Sequence, residues 1–184
     1  MDKSFRKIRA LYSDGVLEPP HRGICWYTGG ARNSASHFID LLCGWFGPLE
    51  VRGSSTGFSG NSLDFVADFI VGNHLLDVSF RNLKTRNAHH YSMTIYSQNG
   101  RLDYDVGGRR ASWSISGPDD LHPESFSLTG KTQSIRSDFS KIMEDVYFEV
   151  SNQMGHLGNH SILTTGAEAL QVSRILDEIE GAHS

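Results

Sequence analysis

The stretch between residues 49 and 116 constrains the fold most strongly, because it is a series of short strand-like segments joined by tight turns. Apolar and polar residues alternate over 63–71, and the Gly72-Asn73 turn is followed by a second alternating run. The dipeptide Asn99-Gly100 is the strongest short hairpin signal. Consecutive strands with tight turns predict an antiparallel meander rather than a parallel nucleotide-binding sheet. The strands are expected at 49–55, 63–71, 74–81, 91–97, 101–106 and 111–116.

Helices are predicted on both sides of this meander. Apolar residues recur at helical spacing over 4–13 and 33–46, and a strand over 22–28 separates these two helices. Two further helices are expected at 135–153 and 165–180, the second opened by a capping box of Thr165 and Glu168, with its buried face formed by Ala169, Val172, Leu176 and Ile179. The pattern predicts one α+β domain over residues 1–184. Its open, mostly antiparallel sheet has about six or more strands, and helices pack on one face.

The segment from Tyr27 to Asp40 carries the strongest candidate site. Gly29-Gly30 ends the first strand, and the helix after it places Asn33, His37 and Asp40 close together, at spacings of four and three residues. An imidazole there could exchange a proton with a substrate hydroxyl near neutral pH. The competing interpretation is a surface helix in which Asn33 caps the N-terminus and His37 is solvated.

Composition excludes several classes of protein. The formal net charge is −4, no run of Lys or Arg occurs, and a nucleic-acid surface is therefore not expected. No apolar stretch reaches the ~18 residues of a membrane span, and the N-terminus has no apolar segment typical of a signal peptide. Cys25 and Cys43 do not form a CxxC pair and are expected to be buried free thiols, which favours a reducing cytoplasm.

The remaining polar clusters give weaker signals. His156 and His160 bracket a glycine-containing loop, and no glutamate accompanies them as in an H-E-x-x-H metal motif. A small metal-dependent hydrolase built on the histidines is a minor alternative, and no metal is expected. The carboxylates of Asp103 and Asp105 are attributed to a solvated strand face, and Asp119-Asp120 to a turn.

Several motifs together resemble the C-terminal domain of the Gfo/Idh/MocA family of glucose–fructose oxidoreductases and inositol dehydrogenases. The resemblance covers most of the chain. It is carried in order by Phe5-Arg6-Lys7-Ile8-Arg9, Tyr27-Thr28-Gly29-Gly30, the His37 helix ending in Phe46-Gly47, Gly100-Arg101-Leu102-Asp103-Tyr104 and Gly166-Ala167-Glu168-Ala169-Leu170.

This resemblance implies a substrate-binding and oligomerisation domain of an NAD(P)-dependent oxidoreductase acting on a sugar, sugar nucleotide or related polyol. His37 and Asn33 match the catalytic positions, although the family commonly has Asp where Asn33 stands, and an amide cannot act as a base. Asp40, Arg32 and Tyr27 are the implied substrate contacts. The resemblance also implies a homo-oligomer formed through the sheet.

The main departure from the family is the cofactor domain. The chain contains neither the glycine-rich βαβ unit nor the family's Glu-Lys-Pro motif, so no cofactor-binding residue is expected in it. We therefore interpret the chain as a separately expressed or truncated half of a dehydrogenase, inactive alone, whose missing Rossmann domain binds NAD or NADP. The alternative is a non-catalytic module that assembles subunits or binds a sugar.

Overall fold

The described residues include three α-helices with defined bounds and one large sheet. The computed structural model describes residues 3–59, 62–85, 89–119, 121–122, 124–128, 132–137, 147 and 166–181. The helices are α1 (Lys3–Ser13), α2 (Ala31–Phe46) and α3 (Gly166–Gly181). The strands are β1 (Pro20–Tyr27), β2 (Glu50–Ser59), β3 (Ser62–Val71), β4 (His74–Asn82), β5 (Tyr91–Ser97), β6 (Gly100–Asp105), β7 (Arg110–Ile115), β8 (Gly117–Pro118), β9 (Phe126–Ser127) and β10 (Gln133–Arg136).

Eight strands form the main sheet in the order β10-β7-β6-β5-β1-β4-β3-β2. β1 is antiparallel to β5 but parallel to β4, with Tyr27 opposite Asn82 at the carboxyl ends of the parallel pair. The other neighbouring strands are antiparallel, which confirms the predicted open, mostly antiparallel sheet. The parallel pair distinguishes this sheet from a simple meander, because β1 lies between β4 and β5, which are consecutive along the chain.

One face of the sheet is covered by the helices. Alternate strand residues, such as Phe65, Phe80 and Met93, are buried in one apolar core with Phe38 of α2 and Ile8 of α1. This period of two follows from the pleat, since successive side chains point to opposite faces. The prediction of helices packed on one face is confirmed.

The opposite face of the sheet, which we call the open face, is a mixture of charged and apolar side chains. Trp26 and Leu75 are exposed on it, and Arg22 pairs with Asp77 at 3.6 Å. Arg101 and Thr94 both contact the Asp103 carboxylate there, at 2.9 Å each.

Two sequence predictions about the C-terminal third are corrected by the structure. The prediction that a helix begins near residue 135 is wrong, because Gln133–Arg136 is a strand paired with β7. Of the rest of that helix only Ser137, which is not helical, and Tyr147, which is helical, lie within the described residues. The last helix is confirmed, but Ala169 is exposed, and Ile175 takes a place on the buried face instead. Thr165 of the proposed capping box lies outside the described residues.

Candidate functional site

The Gly29-Gly30 turn connects the end of β1 to the first turn of α2. Gly29 has a φ of +89°, a backbone conformation that favours glycine, and a Cβ there would lie 2.9 Å from Oγ of Ser34. Gly30 is the N-cap residue of α2, and no side chain caps this helix start. The proposal that Asn33 caps the helix is therefore wrong, and its backbone N–H instead donates to the Gly30 carbonyl at 3.2 Å.

Hydrogen bonds hold all three carbonyl groups around this turn. The Ser34 hydroxyl donates to the Thr28 carbonyl at 2.7 Å, and the Asn82 side-chain amide donates to the Gly29 carbonyl at 2.5 Å. The Gly30 carbonyl accepts from the backbone N–H of Ser34 at 2.8 Å. The turn is thus tied both to α2 and to the end of β4, so its position is set by two neighbouring elements.

Asn82 lies at the centre of this arrangement. Its backbone N–H donates to the Asp64 carboxylate at 2.6 Å, and its side-chain oxygen accepts from the Lys84 N–H at 2.8 Å. Lys84 has a φ of +55°, which is uncommon for a residue with a side chain. Asn82 is buried, and a buried amide is stable only when its polar groups are paired.

The three residues predicted to form the reactive face of α2 share one side of the helix. Asn33 and His37 are exposed and Asp40 is half-buried, while Ser34 and Phe38 face the sheet and contact Tyr91. An exposed imidazole on a helix surface can exchange protons with a ligand without unpacking the core.

Arg32 and Tyr27, the other predicted contacts, have different surroundings. Nη2 of Arg32 forms an ion pair with Oδ1 of Asp177 in α3 at 2.7 Å, with both side chains exposed. Tyr27 is fully buried. Burial, with a smaller contribution from the Asp64 carboxylate, raises the pKa of Tyr27 to about 12, against the opposing effect of a hydrogen bond from the Asn82 side chain.

Sequence reasoning missed the residues that hold the turn, chiefly Ser34, Asp64 and Asn82. Their signal is topological: they converge only because β1 and β4 are parallel, so that both carboxyl ends lie at one edge of the sheet. An Asn after an alternating strand is otherwise typical of any turn.

The remaining sequence predictions concern a histidine metal site, a membrane span and the two cysteines. Among the residues that the structure describes, no three His, Cys, Asp or Glu side chains come together as a metal-binding group. His156 and His160 lie outside those residues. In the same described part, no helix has the length and apolar character needed to cross a membrane. Cys25 and Cys43 are buried thiols that are not joined in a disulfide, as predicted.

Comparison with known proteins gives likenesses in structure only. No family model and no curated protein sequence matches the chain. An oxidoreductase from Agrobacterium radiobacter, solved with NAD+, L-tartaric acid and magnesium, matches with a TM-score of 0.64 at 12% identity, over 98% of this chain and 59% of its own. The WlbA dehydrogenase from Bordetella pertussis, solved with NADH and UDP-GlcNAcA, matches with a TM-score of 0.60 at 16% identity, over 98% of this chain and 57% of its own.

A third match is not described as an enzyme. The super-repressor mutant of Gal80p from Saccharomyces cerevisiae matches with a TM-score of 0.69 at 10% identity, over 98% of this chain and 60% of its own. The chain therefore spans about 60% of the length of these structures. At such identities the likeness shows the fold, and it confirms the fold that the resemblance to Gfo/Idh/MocA oxidoreductases implied.

Proposed function

We propose that this chain is the C-terminal, substrate-binding and oligomerisation domain of a cytoplasmic NAD(P)-dependent oxidoreductase acting on a sugar, sugar nucleotide or related polyol. One observation carries the proposal: 98% of the chain superimposes on dehydrogenases of which it spans only about 60%. The part of such an enzyme without a counterpart here would contribute the nucleotide-binding domain.

The described residues do not themselves provide a dinucleotide site. A Rossmann site lies where one βα turn leads through a single helix to a neighbouring parallel strand. Here β1 and β4 are connected through α2 and the β2–β3 hairpin, and the Gly29 carbonyl is occupied by Asn82. When bound elsewhere in the intact enzyme, the cofactor would supply the hydride acceptor.

This chain's own residues would handle the substrate hydroxyl. His37 is exposed on α2 and would exchange the hydroxyl proton, while Asn33 and Asp40 on the same side of the helix would orient the imidazole or the substrate. Arg32 would complete the contacts at the surface, and Tyr27, which is fully buried, would support the turn from beneath rather than touch the ligand.

The catalytic part is tested in the intact oxidoreductase with NAD+ or NADP+ and a panel of sugars, sugar nucleotides and polyols. The His37→Ala variant should lower kcat by about 10²–10⁴-fold, the usual scale for a lost acid–base group. His74→Ala is the matched control. His74 is also exposed, but it begins β4 and so lies at the end of that strand opposite to Asn82 and the Gly29-Gly30 turn. Equal rates in wild type and His37→Ala would refute the assignment.

The oligomeric part rests on the open face. Its apolar side chains, Trp26 among them, are exposed to solvent in a single copy. Light scattering should show an oligomer that Trp26→Arg dissociates. Leu121→Arg is the control, since Leu121 is exposed outside the main sheet. A strictly monomeric wild type at high concentration would contradict this part.

A second candidate is a non-catalytic sugar-binding or assembly module. The match to Gal80p, described as a super-repressor mutant rather than an oxidoreductase, favours it. Binding of the same ligand panel to the chain by calorimetry, without turnover in the intact protein, would select this function over the first.

A further inference from the structure

We propose that Asn82 is a positioning residue of the candidate site: it fixes the Gly29-Gly30 turn and, through that turn, the face of α2 that carries Asn33 and His37. This inference rests on the proposed function, which assigns that face to the substrate. Asn82 itself is buried, so it acts through the turn rather than by touching a ligand.

The first step of the argument is the set of hydrogen bonds around Asn82. The side-chain amide donates to the Gly29 carbonyl at 2.5 Å while its oxygen accepts from Lys84 N–H at 2.8 Å. The backbone N–H is held at 2.6 Å by Asp64 of β3. Donor and acceptor are therefore both committed, which fixes the orientation of the side chain.

The second step is that the turn passes this position on to α2. The side chains of Asn82 and Ser34 each donate to a carbonyl of the turn. Ser34 belongs to α2 itself, whereas Asn82 adds a side-chain link from the turn to the end of β4, beside the backbone bond from Leu83 N–H to the Tyr27 carbonyl. His37 lies in the same helix, so a rigid shift of the helix start would carry the imidazole with it.

The third step is that the rate of a reaction depends strongly on the position of the reacting groups. A displacement of about 1 Å at a reacting group can lower a rate by roughly 10²-fold. A residue that sets the position of the reactive helix should therefore change kcat more than KM.

The decisive variant is Asn82→Asp in the intact oxidoreductase. It keeps the size of the side chain and the acceptor for Lys84, but places a carboxylate oxygen against the Gly29 carbonyl. We expect kcat to fall about 10- to 100-fold with KM changed less than about threefold. The control is Asn99→Asp, because Asn99 accepts from Glu18 N–H at 2.8 Å and donates to the Val16 carbonyl at 3.2 Å in the turn between β5 and β6.

A pH profile separates positioning from general loss of structure. Protonation of the introduced carboxyl group restores an O–H donor towards Gly29, so the ratio of variant to wild-type kcat should rise as pH falls. The titratable groups that face this position are Asp64 of β3 and Tyr27 of β1, with Lys84 following β4. Asn82→Ala has no such group and should show a flat ratio.

Amide hydrogen exchange on the 184-residue chain tests the same inference without activity. The Asn33 and Ser34 amides donate to Gly30, so both should exchange faster in Asn82→Asp and remain unchanged in Asn99→Asp. If Asn82→Asp does not fold at neutral pH, the measurements are made on Asn82→Ser, whose shorter side chain also loses the bond to Gly29.

The outcomes distinguish this inference from the proposed function. Absence of turnover in the wild-type enzyme overturns the proposed function. Hydrogen exchange at the Asn33 and Ser34 amides then tests the role of Asn82 by itself. Faster exchange in Asn82→Asp than in wild type supports the positioning role, and unchanged exchange overturns it. If the wild type turns over, an Asn82→Asp enzyme with the kcat of Asn99→Asp overturns the inference while the function stands.

Discussion

Nη2 of Arg32 lies 2.7 Å from Oδ1 of Asp177, an ion pair that links the first turn of α2 to α3. The two side chains are 54% and 61% exposed, so water competes strongly for both charges. Because the pair is exposed, Arg32 could leave Asp177 and contact the substrate, as proposed, without a large loss of stability.

A double-mutant cycle on Arg32→Ala and Asp177→Ala should give a coupling free energy of about 0.2–1 kcal/mol, the range of exposed ion pairs. The coupling should shrink in about 1 M salt, because charges at the surface are screened. Urea denaturation of the four proteins measures it. A coupling that is large and independent of salt would show that the pair is structural instead.

The two glycines of the turn should respond differently to alanine. Gly29→Ala places a Cβ 2.9 Å from Oγ of Ser34 at a φ of +89°, and should lower the free energy of unfolding by about 1–3 kcal/mol. Gly30→Ala meets no atom within 4 Å and has a φ of −77°, so it should be nearly neutral. Chemical denaturation compares them, and equal effects would argue against the described turn.

The stacked aromatic side chains of β3 and β4 should contribute strongly to the stability of the core. Phe80 is fully buried, stacked on Phe65 at 4.3 Å between ring centroids and edge-on to Phe69 at 6.5 Å. Phe80→Ala should lower the free energy of unfolding by about 3–5 kcal/mol, since it leaves a cavity. Leu75→Ala on the same strand is the control, because Leu75 is 41% exposed on the open face and its loss should be within about 1 kcal/mol.

The raised pKa of Tyr27 predicts that the folded chain loses stability at alkaline pH. Its pKa is raised from 10.0 to about 12 in the folded chain, so the unfolded chain releases the proton first. The stabilisation is complete below pH 10.0 and is lost progressively as pH rises to about 12, by about 2–3 kcal/mol at most. Denaturation of Tyr27→Phe across this range should show a shallower loss than wild type. Burial also raises the pKa of Tyr12, so Tyr12→Phe/Tyr27→Phe should be shallower still.

Local patterns were sufficient for most of the elements. The alternation from Leu76 to Phe80 and the turn at Gly72 predict a strand and a hairpin because both signals involve near neighbours in sequence. The strand at Gln133–Arg136 was mistaken for a helix start, since Ile135 fits either period and only its pairing with Ala111 decides.

The geometry around the candidate site was predictable only where it is local. The α2 face of Asn33, His37 and Asp40 follows from helical spacing alone, and the structure places it as expected. The contact between Asn82 and Gly29 could not be predicted, because it joins residues 53 positions apart through a parallel pairing that no local pattern encodes.

The central position of β1 also determines the order in which the domain can assemble. Two locally connected groups, β2–β3–β4 and β5–β6–β7, meet only through β1, which hydrogen-bonds to β4 on one side and β5 on the other. Each group closes by short hairpins, whereas β1 must wait until residue 97 has been synthesised before both of its edges are paired. β1 therefore stays with one unpaired edge until β5 has been made, although it is the first strand of the sheet along the chain.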